Sequence, residues 1–175
     1  MKIFLTLLSA LLLSFSLQAQ TVVDIIVNSP DHNVLEAAVI AAELDDDLSG
    51  DGPFTVFAPT DAAFAALPAG LVDQLLMDPT GDLAQILLYH VLGAEVLSTD
   101  LVDGQTATTL EGSDITVTIN ANGVFINDAQ VTMADIPADN GVVHVINAVL
   151  LPPPPTTVVD IIVNSPDHNV LEAAV

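Results

Sequence analysis

Along the first half of the chain the apolar positions recur at helical spacing. Leu35, Val39 and Ala42 share one face, with Glu36 and Glu43 on the opposite one. Ser29-Pro30 just ahead of them reads as the helix entry, a capping residue followed by Pro in the first turn. Asp45-Asp46-Asp47, with Gly50 and Gly52, ends this helix in a loop. Phe54–Ala58 is a short strand, and Pro59-Thr60-Asp61 turns into a helix capped by Thr60 or Asp61 and carrying Phe64 and Leu67. Leu71, Leu75 and Leu76 continue a helical pattern to Asp78-Pro79. Leu83, Ile86, Leu87 and His90 then repeat the i, i+3, i+4, i+7 spacing of another buried helix face.

After Gly93 the period falls to two. Ile115, Val117 and Ile119 alternate with Asp114, Thr116 and Thr118, which predicts a half-exposed strand. Asn120-Ala121-Asn122-Gly123 is a turn signal leading into a hairpin partner at Val124–Asn127. Val131–Ile136 predicts a further strand. Val142–Leu151 is almost wholly apolar and predicts a strand buried on both faces. Helices first and strands afterwards, with one early strand among the helices, give an α+β class.

Both ends of the chain fall outside this pattern. Residues 1–19 carry Lys2, an apolar stretch from Ile3 to Leu17 and a small-residue end at Ala19, the composition of a bacterial secretory signal peptide. The exported chain is expected at the cell surface, in the medium or in the periplasm. At the other end, Thr21–Val39 returns letter for letter as Thr157–Val175. A repeat this long marks tandem domains rather than solenoid turns. The expected organisation is a signal peptide at 1–19, a domain at 20–152, a linker at 153–156 and the start of a second domain at 157–175. The run Pro152–Pro155 favours polyproline II, a short stiff spacer. Because the two copies are identical, the second could replace the first in a neighbouring molecule, which predicts self-association through the duplicated segment.

Charge narrows the partners. Lys2 is the sole Lys or Arg among 23 acidic residues, so removal of the leader takes the formal charge from −22 to −23. Such a surface repels nucleic acid and anionic membranes and is held by hydration and counterions. Cysteine is absent, so the exported domain has no disulfide and must rest on its hydrophobic core. Tryptophan is absent as well, which argues against a stacking platform for bases or sugars.

Catalytic signatures are missing. No Gly-x-Ser-x-Gly, His-Glu-x-x-His or phosphate-cradling Gly-rich loop with Lys occurs, and Ser29, Ser49, Ser98 and Ser113 stand in turn contexts without a nucleophile elbow. The chain is therefore read as non-catalytic and without a cofactor. Asp45, Asp46, Asp47 and Asp51 are the candidate metal ligands, since hard oxygens in a Gly-containing loop suit calcium, although their spacing is not that of an EF-hand. His90 and His144 lie in apolar runs and read as buried imidazoles bonded to backbone. His32, with its copy His168, reads as exposed.

Three segments carry a resemblance: GPFTVFAPTDAAFAAL at Gly52–Leu67, ILLYHVL at Ile86–Leu92 and NGVVHVINAVLLP at Asn140–Pro152. In this order and at these spacings, with TVVDIIVNSPDHNVLEAAV as the opening, the stretch from Thr21 to about Pro152 resembles the fasciclin domain family. The resemblance implies a wedge-shaped β-sandwich flanked by several helices. It also implies adhesion or matrix association outside the cell, usually through tandem domains. In animal members the Tyr-His region and an Asp-Ile pair before the third segment are linked to integrin binding, and the matching positions are Tyr89, His90, Asp135 and Ile136. Asn147 stands where the family often has Asp, and the cationic patches of some members have no counterpart. The expected function is a non-catalytic adhesion module in a tandem array, its partner a protein or polysaccharide of the cell surface or matrix. The alternative is a small-ligand or calcium-dependent binding domain without an adhesive role.

Overall fold

The computed structural model describes residues Gln20–Pro153. The expected leader at 1–19, the expected linker beyond Pro153 and the repeated segment Thr157–Val175 lie outside the described residues. Helix α1, Val22–Val27, opens the fold on a reciprocal cap. Thr21 Oγ1 accepts from Asp24 N at 3.3 Å while the Asp24 carboxylate accepts from Thr21 N at 2.9 Å. Its Val22 and Ile26, one turn apart, are buried. Helix α2, Asn33–Ala41, buries Leu35, Ala38 and Val39. One of its free N–H groups is met from a distance: the Asp61 carboxylate accepts from Val34 N at 2.8 Å, and also from the Asn33 side-chain Nδ2 at 2.9 Å. Ser29-Pro30 is thus a turn before the helix rather than its entry. The Asp45 region is a one-turn helix, α3, Asp45–Leu48, rather than a loop, and Leu48 anchors it in the core.

Strand β1, Phe54–Pro59, follows, and then helix α4, Asp61–Ala65, capped as its sequence predicts by Thr60 Oγ1 accepting from Ala63 N. Helix α5 covers Leu71–Leu75. A π-turn at Pro79–Leu83 runs into helix α6, Ala84–Tyr89. The strands after it are β2 Val91–Leu92, β3 Thr106–Thr108, β4 Asp114–Asn120, β5 Gly123–Ile126, β6 Ala129–Ala138 and β7 Gly141–Ile146. The alternation read between Ile115 and Ile119 belongs to β4, with Ile115 and Val117 buried.

One mixed sheet runs β2-β1-β7-β6-β5-β4-β3. Only β1 and β7 pair in parallel, Phe54 opposite Gly141 through Pro59 opposite Ile146. These two strands approach so closely at their start that side chains are excluded. A Cβ on Gly141, whose φ is +156°, would stand 2.0 Å from the Phe54 carbonyl oxygen, and one on Gly52 would stand 2.0 Å from that of Asn140. Asn140 between them is a junction. Its Oδ1 accepts from Val22 N, and its Nδ2 donates to the Leu48 and Gly50 carbonyls at 2.9 Å each, tying α1 and α3 to the sheet.

β7 is buried along its whole length, as the apolar run predicts, but it ends at Ile146 instead of Leu151. Asn147 turns its Oδ1 onto Gln130 N at 2.8 Å, and Leu150 N is committed to a side chain described below. The backbone groups that would prolong the strand are already used.

The central strands separate two cores. On one side Val56, Ala58, Val91 and Val143 pack against α1, α2 and the later helices. On the other, Phe57, Leu92 and Ile146 pack against Ile115 and Val117 of β4 and Ile126 of β5. The second cluster joins strands from both halves of the sheet, so the sheet folds over on itself in sandwich fashion. The α+β architecture, a sandwich flanked by helices, is the one read from the sequence.

Candidate functional site

The Tyr-His pair closes α6. Tyr89 is buried, its hydroxyl donating to the Asp114 carbonyl at 3.0 Å and accepting from Asn127 Nδ2 at 3.0 Å, so it fastens α6 to β4 and to the β5–β6 turn. His90 is buried as the C-cap of the same helix. Its Nε2 accepts from Leu150 N at 2.9 Å, which leaves the proton on Nδ1 to donate to the Ile86 carbonyl at 2.7 Å. Both nitrogens are used by the neutral ring, and burial pushes its pKa down to about 4.

His144, on β7, is the second fully paired imidazole. Its Nδ1 accepts from Asp135 N at 3.2 Å, so Nε2 donates to the Val96 carbonyl at 2.9 Å, and the ring stacks on Phe57 with centroids 5.7 Å apart. Thr55 fixes the segment that offers Val96: its hydroxyl donates to the Ala94 carbonyl at 2.6 Å and accepts from Val96 N at 2.9 Å. The buried, backbone-bonded reading of His90 and His144 is what the geometry shows.

Asp135 and Ile136 stand at an irregularity of β6. Met133 pairs with Val145 and Ile136 with Val143, so the strand bulges between them, and Asp135 takes a φ of +58°. Its side chain is exposed but not free. Oδ1 accepts from Ser98 N at 2.7 Å and Oδ2 accepts from the Ser98 hydroxyl. The Ser98 hydroxyl first and its N–H second hold the Asp135 carboxyl below the ordinary carboxylate range. Ile136 is half-buried and packs toward the helical core. Of the four motif positions, Tyr89 and His90 are therefore interior and Asp135 alone presents a charged group to solvent.

The aspartates proposed as calcium ligands do not converge. Asp45, Asp46 and Asp47 occupy successive positions of α3, so their side chains leave its axis about 100° apart, and Asp51 lies beyond the helix. Among the described residues no group of three His, Cys, Asp or Glu side chains is placed to hold a metal ion.

His32 is the position where the sequence reading fails. It is not exposed: only 6% of its surface reaches solvent. Its Nδ1 lies 2.7 Å from Ser29 Oγ, while Nε2 is the one buried side-chain nitrogen or oxygen among the described residues without a hydrogen-bond partner. His32 lines a cavity of about 290 Å³ between α1, β1, β6 and β7. No local signal marks this, because much of the wall comes from strands about a hundred residues further along the chain.

Comparison with known proteins places these positions in a family. The profile of the fasciclin domain matches residues 30–152. Protein sll1483 of Synechocystis sp. is 45% identical over 135 residues, covering 77% of this chain and 74% of its own. Human periostin is 32% identical over 139 residues, 79% of this chain but 16% of periostin. A solved FAS1 domain pair from the insect cell adhesion molecule Fasciclin I overlays with a TM-score of 0.49 at 23% identity, over 76% of this chain and 47% of that one.

Proposed function

We propose that this chain, which belongs to the fasciclin domain family, is a non-catalytic extracellular adhesion or matrix-association module that works by repetition. The family is one of extracellular adhesion-associated domains, and the match to a small fraction of periostin is that of one module within a longer protein. The observation that carries the reading is the division of labour among the motif positions. Tyr89 and His90 spend every polar atom on the frame, while Asp135 is held rigidly at the surface on a bulge. A carboxylate fixed by two donors loses little freedom on docking, which is what a weak repeated contact requires.

The partner in this reading is a protein or polysaccharide of the cell surface or matrix, and the duplicated segment at Thr157–Val175 supports a tandem arrangement. Avidity then supplies retention: a second domain on a short stiff linker meets its site at high effective concentration. Retention on matrix-coated surfaces distinguishes this from a domain that binds a small ligand as one unit. Two joined domains are expected to be retained about 10²-fold longer than one. Asp135→Ala is expected to weaken both forms while leaving their melting temperatures within a few degrees of the parent. Equal retention of one and two domains overturns the reading.

A further inference from the structure

The cavity beside His32 has the features of a binding site rather than of a packing gap. Ile25 and Ile26 of α1, Ala58 of β1 and Val143 and Val145 of β7 give it apolar walls, and its volume of about 290 Å³ sits at the lower edge of small-molecule pockets. Within those walls stands one ring with an unused nitrogen. Nε2 of His32 is unpartnered and closed to the cavity as well as to bulk solvent, so an occupant reaches it only when the ring turns slightly toward the cavity. Ser29 fixes which nitrogen is left over, because a flipped ring would turn a carbon toward the Ser29 hydroxyl.

The chemistry of the occupant follows from these groups. Where Ser29 donates to Nδ1, Nε2 carries a proton and needs an acceptor. Where Nδ1 donates to Ser29, Nε2 needs a donor. A hydroxyl answers either state. Charge removes the other choices: the described residues contain no Lys or Arg, and Asp31 lines the cavity, so an anion is repelled. Apolar walls penalise a desolvated cation.

We infer that this cavity binds a compact, uncharged, largely apolar alcohol or phenol, its hydroxyl hydrogen-bonded to His32 Nε2 after a small shift of the ring. The Asp135 carboxylate, held on Ser98, is not part of the lining, although Met133 and Ile136 on either side of it are.

The test uses the whole exported chain with three probes of one shape: 2-naphthol, naphthalene and 2-naphthoate. Binding is followed by nuclear magnetic resonance of the histidine ring signals, that of His32 being identified by its loss in His32→Leu. 2-Naphthol is expected to bind saturably and to shift the His32 ring. Naphthalene should bind about tenfold more weakly, the worth of one neutral hydrogen bond, and naphthoate more weakly still. His32→Leu should erase the preference for naphthol over naphthalene, and Ile25→Phe, which fills the cavity from a half-buried position, should weaken both. The inference is overturned by the absence of saturable naphthol binding at millimolar concentration, or by equal affinity for naphthol and naphthalene. It is also overturned if saturable binding, followed on the probe's own signals, leaves the His32 ring signal unmoved, as occupation of the apolar groove lined by Val34, Phe64, Val72 and Leu83 would do.

Discussion

His90 and His32 are both buried imidazoles at helix ends, yet their surroundings use them in opposite ways. At His90 the carbonyl of Ile86 and the N–H of Leu150 take one nitrogen each, so the ring is a cross-brace between α6 and the segment after β7. At His32 only Ser29 answers, and the ring borders a cavity instead of a packed wall. The pairing at His90 makes that ring structural and chemically silent. At His32 the unpaired Nε2 is the group that the inferred ligand would satisfy. Two residues of one type, both with little exposure, thus divide into frame and candidate site according to their partners, and burial alone does not tell them apart.

The sharpest way to break this comparison is to delete the brace. His90→Ala leaves the Ile86 carbonyl and the Leu150 N–H unpaired in a dry interior and opens a void beside α6. The two effects together are expected to cost about 3–5 kcal/mol in urea unfolding. A loss below about 1 kcal/mol would mean that the segment around Leu150 relaxes to water, and His90 would no longer count as frame.

Acid probes the same brace without mutation. Burial lowers the folded pKa of His90 from 6.5 to about 4, so the neutral ring is favoured in the fold and the unfolded chain binds the proton first. The stability this contributes is complete above pH 6.5 and drains away as pH falls toward 4, by about 3 kcal/mol at 1.36 kcal/mol per unit. Protonation of the carboxylates relieves self-repulsion over an overlapping range, so the quantity to measure is a difference. Chemical denaturation at stepped pH should show a shallower decline between pH 6.5 and 4 for His90→Gln than for the parent. Parallel curves would show that His90 does not resist protonation in the fold.

The same contrast explains what the sequence could and could not reveal. The face of α6, the alternation in β4 and the Thr60 cap are set by residues within a few positions of one another, and all three were readable. Helix α1 is masked in the sequence because Val-Val-Asp-Ile-Ile-Val is rich in β-branched residues, although Thr21 and Asp24 stand at capping-box spacing. The end of β7 at Ile146 is hidden, since hydropathy continues to Leu151 and the ladder is stopped by the Asn147 side chain taking Gln130 N and by His90 taking Leu150 N. His90 looked buried because its neighbours in sequence are apolar. His32 reads as exposed because Pro30, Asp31 and Asn33 surround it, while many of the residues that share its cavity come from β1, β6 and β7. Of the motif positions, the roles of Tyr89 and Asp135 separate only when their partners at Asp114, Asn127 and Ser98 are known.

The smallest expected effect is the most telling. Replacing His32 with Leu removes one bond, to a Ser29 hydroxyl near enough to the surface to find water, and costs about 1 kcal/mol on that account. It also removes a buried nitrogen that has no partner, whose desolvation weighs against the folded state by a similar amount, and it adds apolar contact with walls such as Ile26 and Val143. The opposing contributions nearly cancel, so the variant is expected within about 1 kcal/mol of the parent on either side. A cost above about 2 kcal/mol would require that Nε2 holds a bond in solution, to a trapped water or to a shifted Thr60 or Asp31. His32 would then join His90 in the frame, and the cavity would lose the unpaired group that selects its ligand.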